Sequence, residues 1–178
     1  MTLFRKTLLA TGAVMVLAVA VGFVLPRRVY VERTIAIDAP RESVFAILNG
    51  FARFNEWSPW AALDPNAKYT YEGPATGVGP KLSWVVDPAT IGAGTLAIIE
   101  SRAPELVKMS FNFGPQAKAV GTMTLAAAGK GTRVTWGFET DLGSNPVSRY
   151  FGLMFDKMIG ADFDRGLVAL KKVAEGLP

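Results

Sequence analysis

Acid–base chemistry in this chain falls to Asp, Glu, Tyr, Lys or Arg, because its 178 residues include neither His nor Cys. That absence removes thiolate nucleophiles, histidine dyads, disulfides and the usual zinc sites, and no metal or cofactor is expected. A Gly-x-Ser-x-Gly elbow is missing, as is a Ser three residues before a Lys, so a serine nucleophile has no recognisable support. Gly77-x-Gly79 lacks the third glycine and following helix of a dinucleotide site. Gly129-Lys130-Gly131-Thr132 has Thr124 where a phosphate loop places its first glycine, and both segments read as turns. The carboxylate to weigh is Glu100. It shares strand parity with Leu96 and Ile98, and an inward position would raise its pKa towards that of a general acid or base. A strand end or bulge at the same point would leave it in water. Arg33, on the apolar parity of the first strand, and Glu72 and Arg102 are further candidate polar anchors. No catalytic motif is recognisable, and the reading leans away from an enzyme.

The aromatic and methionine residues carry a more substantive argument. Trp57, Trp60, Trp84 and Trp136 each bring a large apolar body and one N–H donor. Met109, Phe111, Phe113, Met123, Met154 and Met158 share the apolar parity of strands or of the closing helix. Methionine is flexible and polarizable, so it suits a cavity that takes varied apolar ligands. The same ten residues serve equally well to fill a core, and composition alone does not separate the two.

The elements that must position these residues are legible from periodicity. Leu8 to Leu25 is an uncharged run of 18 residues bracketed by Arg5-Lys6 and Arg27-Arg28. As a helix it would be about 27 Å long, close to the thickness of a bilayer's hydrocarbon layer. It reads as an uncleaved transmembrane anchor spanning residues 8–25, with residues 1–28 as anchor and basic flanks. The alternative is a cleaved signal peptide, for which Ala18-Val19-Ala20 would be the cleavage pattern. Ala18 and Gly22 form a small-xxx-small pair of the kind that favours weak helix pairing. Flanking charges do not fix which side of the membrane the remainder faces.

Residues 29–178 form one domain. The net charge of +4 comes entirely from the four basic residues before Val29, and beyond it 15 basic residues face 15 acidic ones. A neutral domain has no general attraction for polyphosphate, so nucleic acid is not an expected partner. Val29, Val31, Ile35 and Ile37 alternate as a half-buried strand does, and Asp38-Ala39-Pro40 opens a helix containing Val44, Phe45, Ile47 and Leu48. A short helical piece with Phe51, Phe54 and Trp57 follows. Strands are then predicted at Lys68–Glu72, Lys81–Val86, Thr95–Ser101, around Met109 and Phe111, around Met123, and around Trp136, joined by connections short enough for an antiparallel meander. One long helix closes the chain. Ser144 or Asn145 caps it, Phe151, Phe155, Ile159, Phe163, Leu167, Leu170 and Ala174 make its apolar stripe, and Gly176 ends it.

Strand, two short helices, antiparallel strands and a long final helix is the order of the helix-grip fold. Residues 33–45, Arg-Thr-Ile-Ala-Ile-Asp-Ala-Pro-Arg-Glu-Ser-Val-Phe, resemble the opening of the polyketide cyclase/dehydrase and lipid-transport family of the START/Bet v 1-like (SRPBCC) superfamily. Phe54-Asn55-Glu56-Trp57-Ser58-Pro59-Trp60 is similar to that family's Trp-Ser-Pro-Trp segment. Gly73-Pro74 through Gly79 and Gly131-Thr132-Arg133-Val134-Thr135-Trp136 also match, so the resemblance covers about Val31 to Glu175. It implies an α+β fold with a curved antiparallel sheet around the C-terminal helix and an apolar cavity between them. It does not imply one activity, since the superfamily includes lipid carriers, cyclases, hormone receptors and chaperone activators. The expectation is a membrane-anchored binding or transport module for a hydrophobic small molecule or lipid. The alternatives are an enzyme that cyclises or dehydrates a hydrophobic substrate through a cavity carboxylate, and a protein-binding module.

Overall fold

The computed structural model describes residues 2–61, 67–86, 92–114 and 118–176. Helix α1 (Thr2–Val24) comes first, followed by strand β1 (Arg28–Ile37) and two short helices, α2 (Arg41–Leu48) and α3 (Phe54–Trp57). Six further strands follow, β2 (Lys68–Glu72), β3 (Lys81–Val85), β4 (Ala93–Arg102), β5 (Leu106–Asn112), β6 (Lys118–Ala128) and β7 (Gly131–Asp141). The chain ends in α4 (Pro146–Gly152) and α5 (Phe155–Glu175). The seven strands form one antiparallel sheet in the order β1-β7-β6-β5-β4-β3-β2. Only β1 leaves the meander order, because it returns to pair with β7. The helix-grip arrangement is thus the observed one.

Helix α5 lies against the sheet because its stripe has few polar interruptions. Phe163, Leu167 and Leu170 are fully buried, each worth about 1.5–3 kcal/mol over exposure. Close approach is secured by glycines on the same side. A Cβ at Gly166 would meet Trp136 at 2.8 Å and Pro59 at 2.9 Å, and one at Gly160 would collide with the Arg33 guanidinium. Arg33 is therefore not a polar anchor of a cavity. It reaches from β1 across Gly160 to pair with Asp156 at 2.9 Å and Asp164 at 3.4 Å. Farther along, Lys171 donates to the Ala36 carbonyl and to Glu175, and Glu175 accepts from the Asp38 backbone N–H. Two polar latches thus fix the helix along β1.

One expectation about helices is corrected. The final helix is not continuous: α4 ends at Gly152, Leu153 and Met154 form a turn, and α5 begins at Phe155. Asn145 caps α4 by accepting from the Val147 N–H at 2.9 Å. The Ala18–Gly22 pair of α1 has a partner within the chain, because α4 packs against it. Pro146 and Tyr150 pack where a Cβ of Gly22 would stand, and the Tyr150 hydroxyl donates to the Ala18 carbonyl. Residues Phe4–Val24 are long and apolar enough to cross a membrane, with a mean hydropathy of 2.3.

Candidate functional site

Antiparallel register turns the strand pattern into rows that cross the sheet. Leu82 pairs with Leu96, Leu96 with Phe111, Phe111 with Ala119 and Ala119 with Thr140. This row lies one residue from Asp141, which pairs with Arg28 at the start of β1. It includes two small side chains, Ala119 and Thr140, and in the next row Gly121 lies beneath the Phe111 ring. Little fills the space above them, and a cavity of about 440 Å³ results. All five row residues line it, joined by Trp84 and Phe138 from the sheet, by Phe113 just past the end of β5, and by Phe151, Phe155 and Ile159 from α4 and α5.

The opposite end of the sheet is filled. In a parallel row, Val107 pairs with Met123 and Met123 with Trp136. Trp136 stacks on Phe163 with ring centres 4.0 Å apart, and Trp57 packs edge-on against it at 5.5 Å. Trp60 stands between the two halves. Its ring contacts Trp136 and Phe163 on one side and Phe111 on the other.

The ten aromatic and methionine candidates therefore divide by depth. Trp60, Trp84, Phe111 and Phe113 line the cavity. Trp57, Met109, Met123 and Trp136 are buried but belong to the filled core. Met154 and Met158 do not face inward at all. They are 55% and 62% exposed: Met154 stands in the turn before α5, and Met158 is set about 100° around the helix from Ile159 on the inward face. Wall residues that the sequence reading did not select as site residues include Phe138, Phe155, Ile159 and Asp162. The first three lie on stripes the reading recognised. Asp162 follows Ile159 by three residues, so a carboxylate on the apolar face was a usable signal.

The polar lining is sparse and mostly paired. The Trp60 indole N–H donates to Asp162 at 3.1 Å, and Arg165 pairs with the other carboxylate oxygen. The Thr140 hydroxyl donates to the Lys118 carbonyl at 2.9 Å. The Trp84 indole N–H is buried and finds no acceptor among the described residues. Glu100 is not in the cavity. The register slips between Ile98 and Glu100, so Glu100 comes to pair with Lys108 on the outer face, where Lys108 and Arg102 both bind its carboxylate. The Lys108 hydrogen bond holds that carboxyl below its ordinary range, the reverse of what a general acid needs. Glu72 pairs with Lys81 on an exposed strand, and Arg102 is spent on Glu100. No cluster of metal-ligating side chains occurs among the described residues.

Known proteins place this architecture. The family profile described as polyketide cyclase/dehydrase and lipid transport matches residues 28–175. No curated protein matches the chain in sequence. Among solved structures, a protein from Chromobacterium violaceum is 15% identical with a TM-score of 0.60, covering 83% of this chain and 98% of its own. The Aha1 dimer from Colwellia psychrerythraea is 15% identical with a TM-score of 0.55, covering 83% and 96%. The di-domain ARO/CYC StfQ of the steffimycin biosynthetic pathway is 11% identical with a TM-score of 0.61, and this chain spans 51% of it. At such identities the likeness is one of fold.

Proposed function

The chain belongs to the polyketide cyclase/dehydrase and lipid-transport family, and from that premise we propose that it is a membrane-anchored binding or transport module for a hydrophobic small molecule or lipid. Residues 1–28 serve as the anchor and residues 29–178 as the ligand domain. The observation that carries the reading is the hollow half of the sheet, about 440 Å³ walled by Leu82, Leu96, Phe111, Phe113 and Phe155. That volume lies in the range of small-molecule pockets, and each Å² of apolar ligand surface withdrawn from water is worth about 25 cal/mol. The helix at Phe4–Val24 would hold the pocket beside a pool of membrane-dissolved ligand.

Binding is favoured over acid–base turnover because both wall carboxylates are engaged within the protein. Asp162 accepts from Trp60 on one oxygen and pairs with Arg165 through the other, and Asp141 is held by Arg27 and by the Gly143 N–H.

The test uses the full chain in lipid nanodiscs and the fluorescent fatty acid cis-parinaric acid, read by energy transfer from the four tryptophans. Saturable transfer at one site per chain is expected. Ala119→Phe and Leu142→Trp fill the cavity from two different walls, and each should remove the saturable component while preserving the melting transition. Undiminished saturation in both variants would place the probe elsewhere and sink the proposal.

A further inference from the structure

The cavity lies at the end of the sheet where α1 enters, and the segment beside it has an unusual surface. Val147, Phe151, Leu153, Met154 and Met158 are all more than half exposed. Five large apolar side chains within twelve residues form a concentrated patch, whereas single exposed apolar residues are ordinary. Phe151 belongs to both surfaces. It is 62% exposed and also lines the cavity beside Leu142 and Phe155, so the apolar surface continues from outside into the pocket.

What this patch faces is fixed by α1. Helix α4 packs along the last two turns of α1. Arg149 donates to the Phe23 and Leu25 carbonyls, which the helix end would otherwise leave unpaired, and its guanidinium lies over the Phe23 ring. Tyr150 reaches back to the Ala18 carbonyl. Ala18 is six residues from Val24, which is about 9 Å along a helix axis. If α1 spans a bilayer, that is the depth at which an amphipathic helix rests at the headgroup–acyl boundary.

We propose that the α4–α5 corner is a bilayer-docking face, on which Val147, Phe151, Leu153, Met154 and Met158 enter the leaflet in which α1 ends, so that the cavity mouth opens onto lipid rather than water. This rests on reading α1 as a membrane span. The exposure of Met154 and Met158 then has a use, since unbranched, flexible side chains adapt to disordered acyl chains. Arg149 and Tyr150, turned to the α1 backbone, provide the polar atoms expected at that depth.

The chain has no Cys, so single cysteines report unambiguously. Leu153→Cys, Met154→Cys and Met158→Cys are labelled with an environment-sensitive fluorophore in the full chain, reconstituted into phosphatidylcholine–phosphatidylglycerol vesicles. Val16→Cys reports on the span. Lys130→Cys, at the far end of the β6–β7 hairpin about 33 Å along the strands, reports on water. The three corner labels should emit at shorter wavelength than the Lys130 label and be quenched at least threefold more by lipids carrying a shallow acyl-chain nitroxide. Corner labels that behave like the Lys130 label, while the Val16 label is quenched by lipid, would overturn the docking face and leave the span standing. A Val16 label quenched only from water would overturn both. Blue-shifted corner labels that no lipid nitroxide reaches would mark a protein cover and overturn the docking face.

Discussion

At the scale of the residue, position along the sheet decides whether an aromatic is structure or site. Phe163 and Phe155 lie on one stripe of α5 and both border the cavity, yet Phe163 is wholly buried and stacked on Trp136, whereas Phe155 is only partly buried. Removing the Phe163 ring leaves a void that neither Trp136 nor the helix backbone can close. Phe163→Ala should therefore cost about 3–5 kcal/mol, read by denaturant unfolding. A loss below about 1 kcal/mol would show that the filled half is not packed as described. Asp162 shows how one side chain serves both halves. Its brace on the Trp60 indole sets the ring that separates core from cavity. Strand parity did not place Glu100, because a single slipped residue in β4 moves every later side chain to the opposite face. Nothing in the composition of that strand marks the slip.

At the scale of the element, α5 is the part whose placement creates the site, and its polar latches are testable through pH. Hydrogen bonds from Arg33 hold the Asp156 carboxyl below its ordinary value, and hydrogen bonds from Lys171 do the same for Glu175. A depressed folded pKa means that the folded state binds the proton less readily than the unfolded state. The stabilisation is complete above the unfolded value of about 4 and disappears as pH falls through the folded values. In Arg33→Met the Asp156 contribution is gone at every pH. The difference in Tm between wild type and variant should be largest near neutrality and shrink as pH is lowered towards 3. An equal difference at pH 7 and pH 3 would show that Arg33 acts only through packing across Gly160. The break between α4 and α5 was hidden in the sequence for a related reason. Phe151, Phe155 and Ile159 keep a four-residue step straight through it, so periodicity reads one helix where the chain forms two, the first packed on α1.

At the scale of the whole molecule, the succession of strands from β2 to β7, the α2 and α3 pieces and the apolar stripe of α5 were legible because hydrophobic period and turn residues are local signals, whereas the return of β1 to β7 is not local. The cavity was not, because it depends on which residues of different strands stand side by side. Ala119 and Thr140 are unremarkable in their own strands, and only register sets them in one row with Phe111, Leu96 and Leu82. The same register puts the hollow end next to α1, so the pocket, the exposed apolar corner of α4 and α5 and the apolar helix α1 lie side by side. The most direct test of that account is native mass spectrometry of the full chain, released from nanodiscs that carry its native lipid extract, with Ala119→Phe alongside. Wild type should retain one apolar passenger per chain, and the filled variant should emerge empty. An empty wild type, or a passenger kept equally by both, would contradict the assignment of the cavity as the ligand site.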